Sequence, residues 1–178
     1  MPELVIIACA AKNDVIGRGP DIPWSIKEDF RHFSGLTMGS PCIMGDVTYE
    51  SLPPKFRPLP GRENIVLSLN PEYEPEEATL FRDFHQALDY VRGLPSPRAF
   101  ICGGATIYRL AMAMADTLEI TRLDRSYPGD ATFPSIDPGT WELTRSTPAS
   151  GLDRISGEQV TFTYQTWKRR GGQGSGED

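Results

Sequence analysis

The segment IGRGPDIPWSIKEDF, residues 16–30, contains an acid where a hydrophobic residue is typical. Ser25 and Glu28 have the spacing of a capping box, so we expect a helix to begin just after Ser25. In such a helix Asp29 takes the position that normally holds a hydrophobic partner for the residue before the cap, here Trp24. A carboxylate at that position calls for a chemical explanation.

Asp29 also falls on the apolar stripe of this predicted helix. Ile26, Phe30 and Phe33 recur at helical spacing and define the stripe. An exposed acid favoured by the helix dipole is the simpler alternative. A carboxylate half-buried among aromatic side chains is costly, however, unless it meets hydrogen-bond donors. A flat heterocycle with two adjacent N–H groups would supply them through a bidentate bond, and the preceding loop VIGRGPDIPW could act as a lid.

Two glycine-containing corners each lie between an apolar run and a predicted helix start. In CGGATIYRL, Gly103 and Gly104 would let the backbone approach a ligand, and the helix start offers N–H groups to a phosphate. MGDVTYES repeats this layout with Gly45 and Thr48. A simple tight turn is the alternative, because the full dinucleotide fingerprint is absent. Two such corners in one sheet favour an extended ligand with several phosphates, of which a nucleotide is the simplest.

Short apolar runs alternate with helical segments along most of the chain. We predict strands near residues 4–10, 41–44, 64–69, 79–81, 99–102, 117–123, 141–147 and 160–167, and helices near 26–36, 47–51, 84–92 and 105–113. The alternation predicts an α/β fold, with a single domain in which about four helices flank a central mixed, mostly parallel eight-stranded sheet. The last two predicted strands, joined by the polar PASGLDRISGE, should form an antiparallel hairpin that leaves an antiparallel C-terminal strand at one edge.

The composition argues against several classes of partner. A net charge of −6 over 178 residues disfavours nucleic acid and anionic membrane surfaces. The first apolar run, LVIIACAA, is too short to span a bilayer and lacks the basic start of a signal peptide. Cys9, Cys42 and Cys102 are best explained as buried free thiols in a reducing compartment, which predicts a cytoplasmic protein. We expect no metal site, because only His32 and His85 could join these scattered cysteines.

Seven motifs occur in the order typical of one enzyme family: VIG, IPW, the following ED pair, IMG…TYES, LPGRENIVLS, ICGGATIY and GDATFP. On these motifs the chain resembles the dihydrofolate reductases from about Leu4 to Arg170. The resemblance implies one reductase-like domain over residues 1–170, with 171–178 as a disordered Gly-rich tail. It also implies reduction of 7,8-dihydrofolate to 5,6,7,8-tetrahydrofolate by hydride transfer from a reduced nicotinamide cofactor, binding of antifolate inhibitors, and a monomer.

On the substrate side, the resemblance gives each matching residue a role. Asp29 should bind the pterin 2-amino group and ring N–H and promote protonation of N5. Trp24 should hold the loop and a water, and Thr121 should hydrogen-bond to Asp29 or to the pterin. Arg62 should pair with the substrate α-carboxylate, for which its forked guanidinium is suited, although a solvated loop charge is the alternative. Core packing explains Cys9 about as well as ligand contact does. The predicted substrate-binding residues are Cys9, Asp29, Phe30, Phe33, Leu52, Leu59, Arg62 and Thr121.

On the cofactor side, the resemblance implicates the lid and both glycine corners. Tyr108 should lie near the nicotinamide, although a core tyrosine with a wet hydroxyl is the alternative. Asp130 in GDATFP should order the lid from outside the site, and a turn-forming role is compatible with this. The predicted catalytic residues are Trp24, Asp29, Tyr108 and Thr121. The predicted cofactor-binding residues are Ala10, Ile16, Gly17, Gly45, Asp46, Val47, Thr48, Leu67, Ser68, Leu69, Cys102, Gly103, Gly104, Ala105, Thr106, Ile107 and Tyr108.

The chain departs from the family pattern where NADPH-using members carry basic residues for the 2′-phosphate. Asp46, Leu69 and Thr106 stand at these places, and none of them is basic. An acid repels a phosphate dianion but accepts a hydrogen bond from a ribose 2′-hydroxyl. The family resemblance therefore implies NADPH, and the substitutions make NADH a serious alternative. Arg82 or Arg57 could restore NADPH binding from another direction.

Two other readings fit parts of the sequence. The reductase domain of the riboflavin pathway would share the fold and the glycine pair, but it lacks the arrangement of Trp24 and Asp29. A non-catalytic pterin- or nucleotide-binding paralogue would explain the substituted phosphate positions. The intact substrate end, with Thr121 and Arg62, argues against that second reading, because a decayed site would not be expected to retain it.

Overall fold

The computed structural model describes residues 1–171, so residues 172–178 of the predicted tail lie outside the described part. The strands are β1 Glu3–Ala10, β2 Val15–Gly17, β3 Cys42–Gly45, β4 Asn64–Leu67, β5 Thr79–Phe81, β6 Arg98–Ile101, β7 Thr117–Leu123, β8 Ala131–Thr132, β9 Trp141–Asp153 and β10 Glu158–Arg169. The helices are α1 Lys27–Thr37, α2 Asp46–Glu50, α3 Phe84–Arg92 and α4 Ala105–Ala111, with a short 3₁₀ helix at Pro54–Phe56.

Eight strands form one sheet in the order β5-β4-β3-β6-β1-β7-β10-β9. The pairs from β5 to β7 are all parallel, whereas β10 pairs antiparallel with both β7 and β9. The predicted fold class is therefore confirmed, including the antiparallel strands at the C-terminal edge. β9 is itself an edge strand, and Pro148 lies within it, where a missing N–H is tolerated.

Both faces of the sheet are covered, which explains why the central strands are continuous apolar runs. β1 has six buried residues of eight. One face packs against α3 and α4 through Phe84, Leu88 and Ala111. The other face carries Tyr49 of α2 and packs against the apolar side of α1. This second face and the carboxyl ends of the parallel strands carry most of the candidate site residues described below.

The predicted capping box is wrong, because the first residues of α1 are held by tertiary contacts. Ile26 is the N-cap and provides no side-chain cap. The Ser25 N–H donates to Asp153 Oδ1 at 3.1 Å, and the Ser25 hydroxyl accepts from the Arg154 guanidinium at 3.0 Å. Glu28 lies against Gly151 of β9 instead of folding back to the cap. The Trp24 ring packs on Tyr127.

The C-terminal hairpin is longer than predicted. Most of the segment expected to be a polar connector continues β9 to Asp153, and only residues 154–157 form the turn. A second, two-stranded sheet made by β2 and β8 was also not predicted. β2 and β8 have three and two residues, which is too short for a periodic signal in the sequence.

Glycine at position 151 allows α1 to approach β9 closely. A Cβ atom there would collide with the Glu28 carboxylate and lie 2.9 Å from Cγ2 of the buried Ile26. We expect Gly151→Ala to destabilise the protein by about 1–3 kcal/mol through overpacking. Gly35→Ala in α1 is the matched control, because nothing lies within 4 Å of its added Cβ. That control should stabilise the protein by roughly 0.5–1 kcal/mol, and urea denaturation measures both; a neutral Gly151→Ala would contradict the packing argument.

Candidate active site

The carboxyl ends of β1, β3, β4 and β6 meet at one edge of the sheet, where ligands of open α/β sheets bind. Ala10, Gly45 and Leu67 are the last residues of three of these strands, and Cys102 directly follows the fourth. The structure therefore brings the predicted cofactor corners and the end of β1 together. Ala10 is fully buried and Leu67 nearly so, and both belong to the core cluster on the α3 and α4 face.

Asp29 lies in the first turn of α1, half-buried, beside the middle of the sheet. Its Oδ1 accepts a hydrogen bond of 2.6 Å from the Thr121 hydroxyl of β7. Cys9 is the β1 partner of Thr121 in the parallel register, so its thiol lies next to the same carboxylate. Burial raises the pKa of Asp29, and hydrogen bonds from Thr121 and Cys9 oppose the shift. Burial likewise holds the pKa of the Cys9 thiol well above its usual value, with the Asp29 charge adding to the effect. Cys9 is therefore a neutral thiol.

The residues predicted to surround the middle of the substrate differ in exposure. Leu59 is buried, and Phe33 and Leu52 pack against the same cluster while remaining partly accessible. Phe30 is 54% exposed, so in this conformation it covers little apolar surface.

Arg62 is fixed rather than free in solvent. Its Nε donates to the Pro60 carbonyl at 2.9 Å, and its Nη1 donates to Thr37 Oγ1 at 3.0 Å. Thr37 in turn donates to the Phe33 carbonyl, and the guanidinium lies 6.0 Å from the Phe33 ring centre. Two N–H groups thus hold the guanidinium in place, which leaves the others to receive a carboxylate. The role of Thr37 was not predicted, because its signal lies in the fold rather than in a motif.

The two glycine corners are joined to each other. The Gly45 N–H donates to the Gly103 carbonyl at 2.9 Å, and the Gly103–Gly104 peptide bond is cis. A Cβ at Gly104 would lie 3.2 Å from Thr48 Oγ1, and one at Gly45 would lie 3.5 Å from Ile107. Gly103 has a φ of +123°, which side chains rarely adopt. This backbone cradle, which side chains would fill, fits the close approach of a dinucleotide at the first turn of α4.

Tyr108 of α4 is buried beside this cradle. Its hydroxyl donates to the Ile7 carbonyl of β1 at 2.8 Å, and a Cβ at Gly103 would lie 3.4 Å from the same hydroxyl. Burial keeps the pKa of Tyr108 well above its usual value. The tyrosine is therefore a neutral donor between β1 and the paired glycines.

The sequence matches the family model for dihydrofolate reductase over residues 3–169. The chain belongs to the dihydrofolate reductase family. It is 43% identical over 164 residues to the dihydrofolate reductase of Neisseria gonorrhoeae, covering 92% of this chain and 96% of that protein. It is 39% identical over 155 residues to that of Mycobacterium tuberculosis H37Rv, covering 82% and 92%. A solved dihydrofolate reductase from Enterococcus faecalis, complexed with NADP(H) and RAB-propyl, superposes with a TM-score of 0.81 at 27% identity, covering 94% and 96%.

The chain is accordingly an oxidoreductase that reduces dihydrofolate with a nicotinamide cofactor. The riboflavin-pathway and non-catalytic readings are not favoured by these matches. Within residues 1–171, no His, Cys, Asp and Glu side chains cluster in a way that could hold a metal ion. Nor does any helix in that part have the length and apolar character needed to cross a membrane.

Among the predicted cofactor-binding residues, Asp46 is held by two hydrogen bonds. One carboxylate oxygen of Asp46 accepts from the Val47 N–H at 2.7 Å, and the other accepts from the Ser68 hydroxyl at 2.6 Å. Leu69 is 88% exposed and Val47 is 64% exposed. Thr106 is exposed in the first turn of α4.

Both arginines considered as substitute phosphate contacts are engaged elsewhere. The Arg82 guanidinium donates to carbonyls of the loop after β4, including Asn70 and Tyr73. Arg57 donates to the Glu50 carbonyl at 2.8 Å and lies 3.8 Å from its carboxylate.

The lid, residues 15–24, is held along its length. Ile16 and Gly17 belong to β2, which pairs with β8. Asp130 Oδ1 accepts from the Gly19 N–H at 3.0 Å. Trp24 is the last residue of the lid. It is 5% exposed, and its ring centre lies 5.0 Å from that of Tyr127.

Sequence reasoning missed Asn13, Tyr127 and Asp153, which surround the two ends of the lid. Asp153 is fully buried, yet it falls in the run expected to be a polar connector. Tyr127 precedes a proline and Asp153 lies in a polar run, and neither has a sequence pattern that would predict their contact. Only the length of β9 brings them together.

Proposed function

We propose that Asp29 is the residue that binds the pterin edge of dihydrofolate. One observation carries the proposal: Asp29 is a half-buried carboxylate of α1 that the Thr121 hydroxyl of β7 holds in place. One carboxylate oxygen bonds to Thr121, and the other remains to join it in a bidentate bond to two adjacent N–H groups. Such a bond compensates the carboxylate for its lost solvation.

Asp29 also favours positive charge on the pterin, so it promotes protonation at N5. The neighbouring acid, Glu28, places its carboxylate against Gly151 of β9, and Cys9 and Tyr108 are held neutral by their raised pKa values. We propose that the N5 proton comes from solvent, with Asp29 stabilising the protonated ring electrostatically. Trp24 keeps the lid over this position. The bound nicotinamide supplies the hydride that C6 of the pterin accepts.

Arg62 is proposed to bind the substrate α-carboxylate at the far end of the cleft. Thr37 and Pro60 hold it in one orientation, which lowers the entropy lost when the carboxylate binds. Phe33, Leu52 and Leu59 are proposed to contact the part of the substrate between this arginine and the pterin end. Phe30 would need to turn inward to contribute.

For the cofactor, we propose that Gly45, Thr48 and the Gly103–Gly104 corner hold the pyrophosphate, with Tyr108 beside the nicotinamide. Asp46 would then face the adenosine ribose. Its contact with Ser68 holds a carboxylate, a hydrogen-bond acceptor, at the position where family members place a cation. The acid-rich segment PEYEPEEA adds further negative charge near α2, because Tyr49 contacts Glu76 and Tyr73 contacts Glu50. We therefore propose that the enzyme uses NADH at least as well as NADPH.

The activity is tested by adding dihydrofolate to the purified protein with each reduced nicotinamide and following the loss of reduced-nicotinamide absorbance. Turnover with either cofactor supports the assignment, and a ratio of kcat/KM for NADPH over NADH near or below one supports the cofactor proposal. No turnover with either cofactor would refute both.

Thr121→Val offers a test of the Asp29 environment. The valine removes the hydroxyl that lowers the pKa of Asp29 while burial continues to raise it. A hydrogen bond to a charged group favours the charged form, so losing it should raise the pKa of Asp29 further above its ordinary value. Titration of the Asp29 carboxyl carbon by NMR measures this. Thr144→Val, in which the lost hydroxyl bonds to the Thr166 carbonyl at the far edge, is the control; an unchanged Asp29 titration in Thr121→Val would contradict the proposal.

We also propose a cytoplasmic monomer of one domain over residues 1–170 that binds antifolate inhibitors in the dihydrofolate cleft. The three cysteines are free and buried or partly buried, which suits a reducing compartment.

A further inference from the structure

The carboxylate of Asp153 is completely buried at the end of β9. Within residues 1–171 it has no salt-bridge partner, and its charge is satisfied by four hydrogen bonds instead. Oδ1 accepts from the Ser25 N–H at 3.1 Å and the Ile155 N–H at 3.0 Å. Oδ2 accepts from the Tyr127 hydroxyl at 2.8 Å and the Ser156 hydroxyl at 2.9 Å. A buried charge that is fully satisfied by donors from three separate segments fixes those segments relative to one another.

Two of these donors, Ser25 and Tyr127, are connected to the lid. Ser25 directly follows the last lid residue, and Asp153 holds its backbone N–H. Asn13 lies two residues before the start of the lid and binds the backbone of Tyr127 twice, with Nδ2 donating to the carbonyl at 2.9 Å and Oδ1 accepting from the N–H at 3.3 Å. The start and the end of the lid are therefore each attached to one member of the Tyr127–Asp153 pair.

The same pair contacts the route into α1. The ring of Tyr127 packs on Trp24 at 5.0 Å. The turn after Asp153 adds a bond from the Arg154 N–H to the Ser25 carbonyl at 2.9 Å. Asp29 lies only four residues after Ser25, so the position of its carboxylate depends on how this junction is held.

We infer that Tyr127 and Asp153 are positioning residues: they fix both ends of the lid and the start of α1, and thereby set where Trp24 and Asp29 stand against the substrate. The inference rests on the proposed roles of Trp24 and Asp29. Neither positioning residue touches the reacting atoms. Their contribution is a lid that is already ordered before substrate arrives, which reduces the ordering needed during hydride transfer.

A purely structural role would be different, because Asp153 would then stabilise only the β9–β10 turn through Ile155 and Ser156. Loss of the Tyr127 hydroxyl would lower the melting temperature without loosening the lid in particular. Local exchange rates separate the two roles, since they report the opening of individual segments.

The test compares Tyr127→Phe with Tyr90→Phe. Both remove a hydroxyl that bonds to a carboxylate, but Tyr90 contacts Glu63 from α3, away from the lid. Tyr127→Phe keeps the ring against Trp24 and both backbone bonds to Asn13, so the fold is retained. Amide hydrogen exchange of the ligand-free variants is followed by mass spectrometry on peptides from residues 14–26 and from α3, and single-turnover hydride transfer is measured separately.

Tyr127→Phe should raise exchange in the lid peptides about tenfold with α3 unchanged, and slow hydride transfer by roughly tenfold, because small misplacements of catalytic groups are costly. KM for dihydrofolate should change much less, since Arg62 is untouched. Tyr90→Phe should alter neither quantity. Adding Tyr127→Phe to Asp153→Asn should have little extra effect, because the two residues act as one unit.

Lid exchange in Tyr127→Phe that equals wild type, or a fall in melting temperature like that of Tyr90→Phe with unchanged hydride transfer, would overturn the inference. Additive effects of the Tyr127 and Asp153 changes would also overturn it. The exchange measurement needs no substrate. Failure of the unmodified protein to reduce dihydrofolate, together with faster lid exchange in Tyr127→Phe, would therefore refute the proposed function but support the role of Tyr127 and Asp153 in holding the lid.

Discussion

Replacing Asp29 with asparagine is expected to slow hydride transfer by about 10²–10³-fold at neutral pH, the range typical for the loss of one group that stabilises charge in the transition state. Asparagine keeps the shape and the bond to Thr121 but cannot favour positive charge on the pterin. The rate should recover partly as the pH falls, because the substrate then arrives protonated. Pre-steady-state measurement of hydride transfer across pH tests this. Glu28→Gln, one residue earlier and exposed, should remain near wild type, and rapid neutral-pH turnover by Asp29→Asn would contradict the role of the acid.

The same substitution should stabilise the protein. Burial raises the pKa of Asp29 above its ordinary value of 3.8, so the folded protein binds this proton more tightly than the unfolded chain does. Stability contributed by this group is therefore complete at low pH and is lost as the pH rises through the raised pKa. At neutral pH the asparagine variant avoids that loss, and its melting temperature should exceed that of wild type by about 2–4 °C for each kcal/mol recovered. The difference should shrink toward pH 3.8.

Asp46→Arg should move cofactor preference toward NADPH by about 10- to 100-fold in the ratio of kcat/KM values, since one bond between a cation and phosphate is worth about 1.5–3 kcal/mol. The substitution also removes the repulsion between Asp46 and a 2′-phosphate. Ser68 would lose its carboxylate acceptor but still accept from the Asn70 N–H at 3.2 Å.

Glu142→Arg on β9 makes the same change in net charge far from the cofactor corners and serves as the control for Asp46→Arg. It should leave the ratio of kcat/KM values unchanged. A large NADPH advantage in the wild type that persists in Asp46→Ala would show that another cation, such as Arg82, performs this task.

The fold could be predicted from the sequence because its signals are local. Each parallel strand is a short apolar run followed by a helical pattern, and the two glycine corners mark where strands give way to helices. The start of α1 could not be predicted in the same way. Ser25 has the sequence of a cap, but its N–H is taken by Asp153, 128 positions away along the chain.

In the candidate site, too, features with a local sequence signal could be predicted and those that depend on distant contacts could not. Asp29 was identified from its conflict with the apolar stripe, and its contact with Thr121 agrees with the predicted pairing. The engagement of Arg82 by loop carbonyls and the orientation of Arg62 by Thr37 depend on where loops pass, which no spacing encodes. The Tyr127–Asp153 pair is the extreme case, since each residue is unremarkable in its own segment.

β9 is one of the longest elements of the protein, thirteen residues at the open margin of the sheet, with residues 142–148 all exposed. An unpaired backbone of that length would normally recruit strands from other copies and seed aggregates. Pro148 interrupts its row of donors, and Glu142 and Arg145 place charges along it. These features oppose the addition of a strand from another copy along β9, the strand that reaches across to α1.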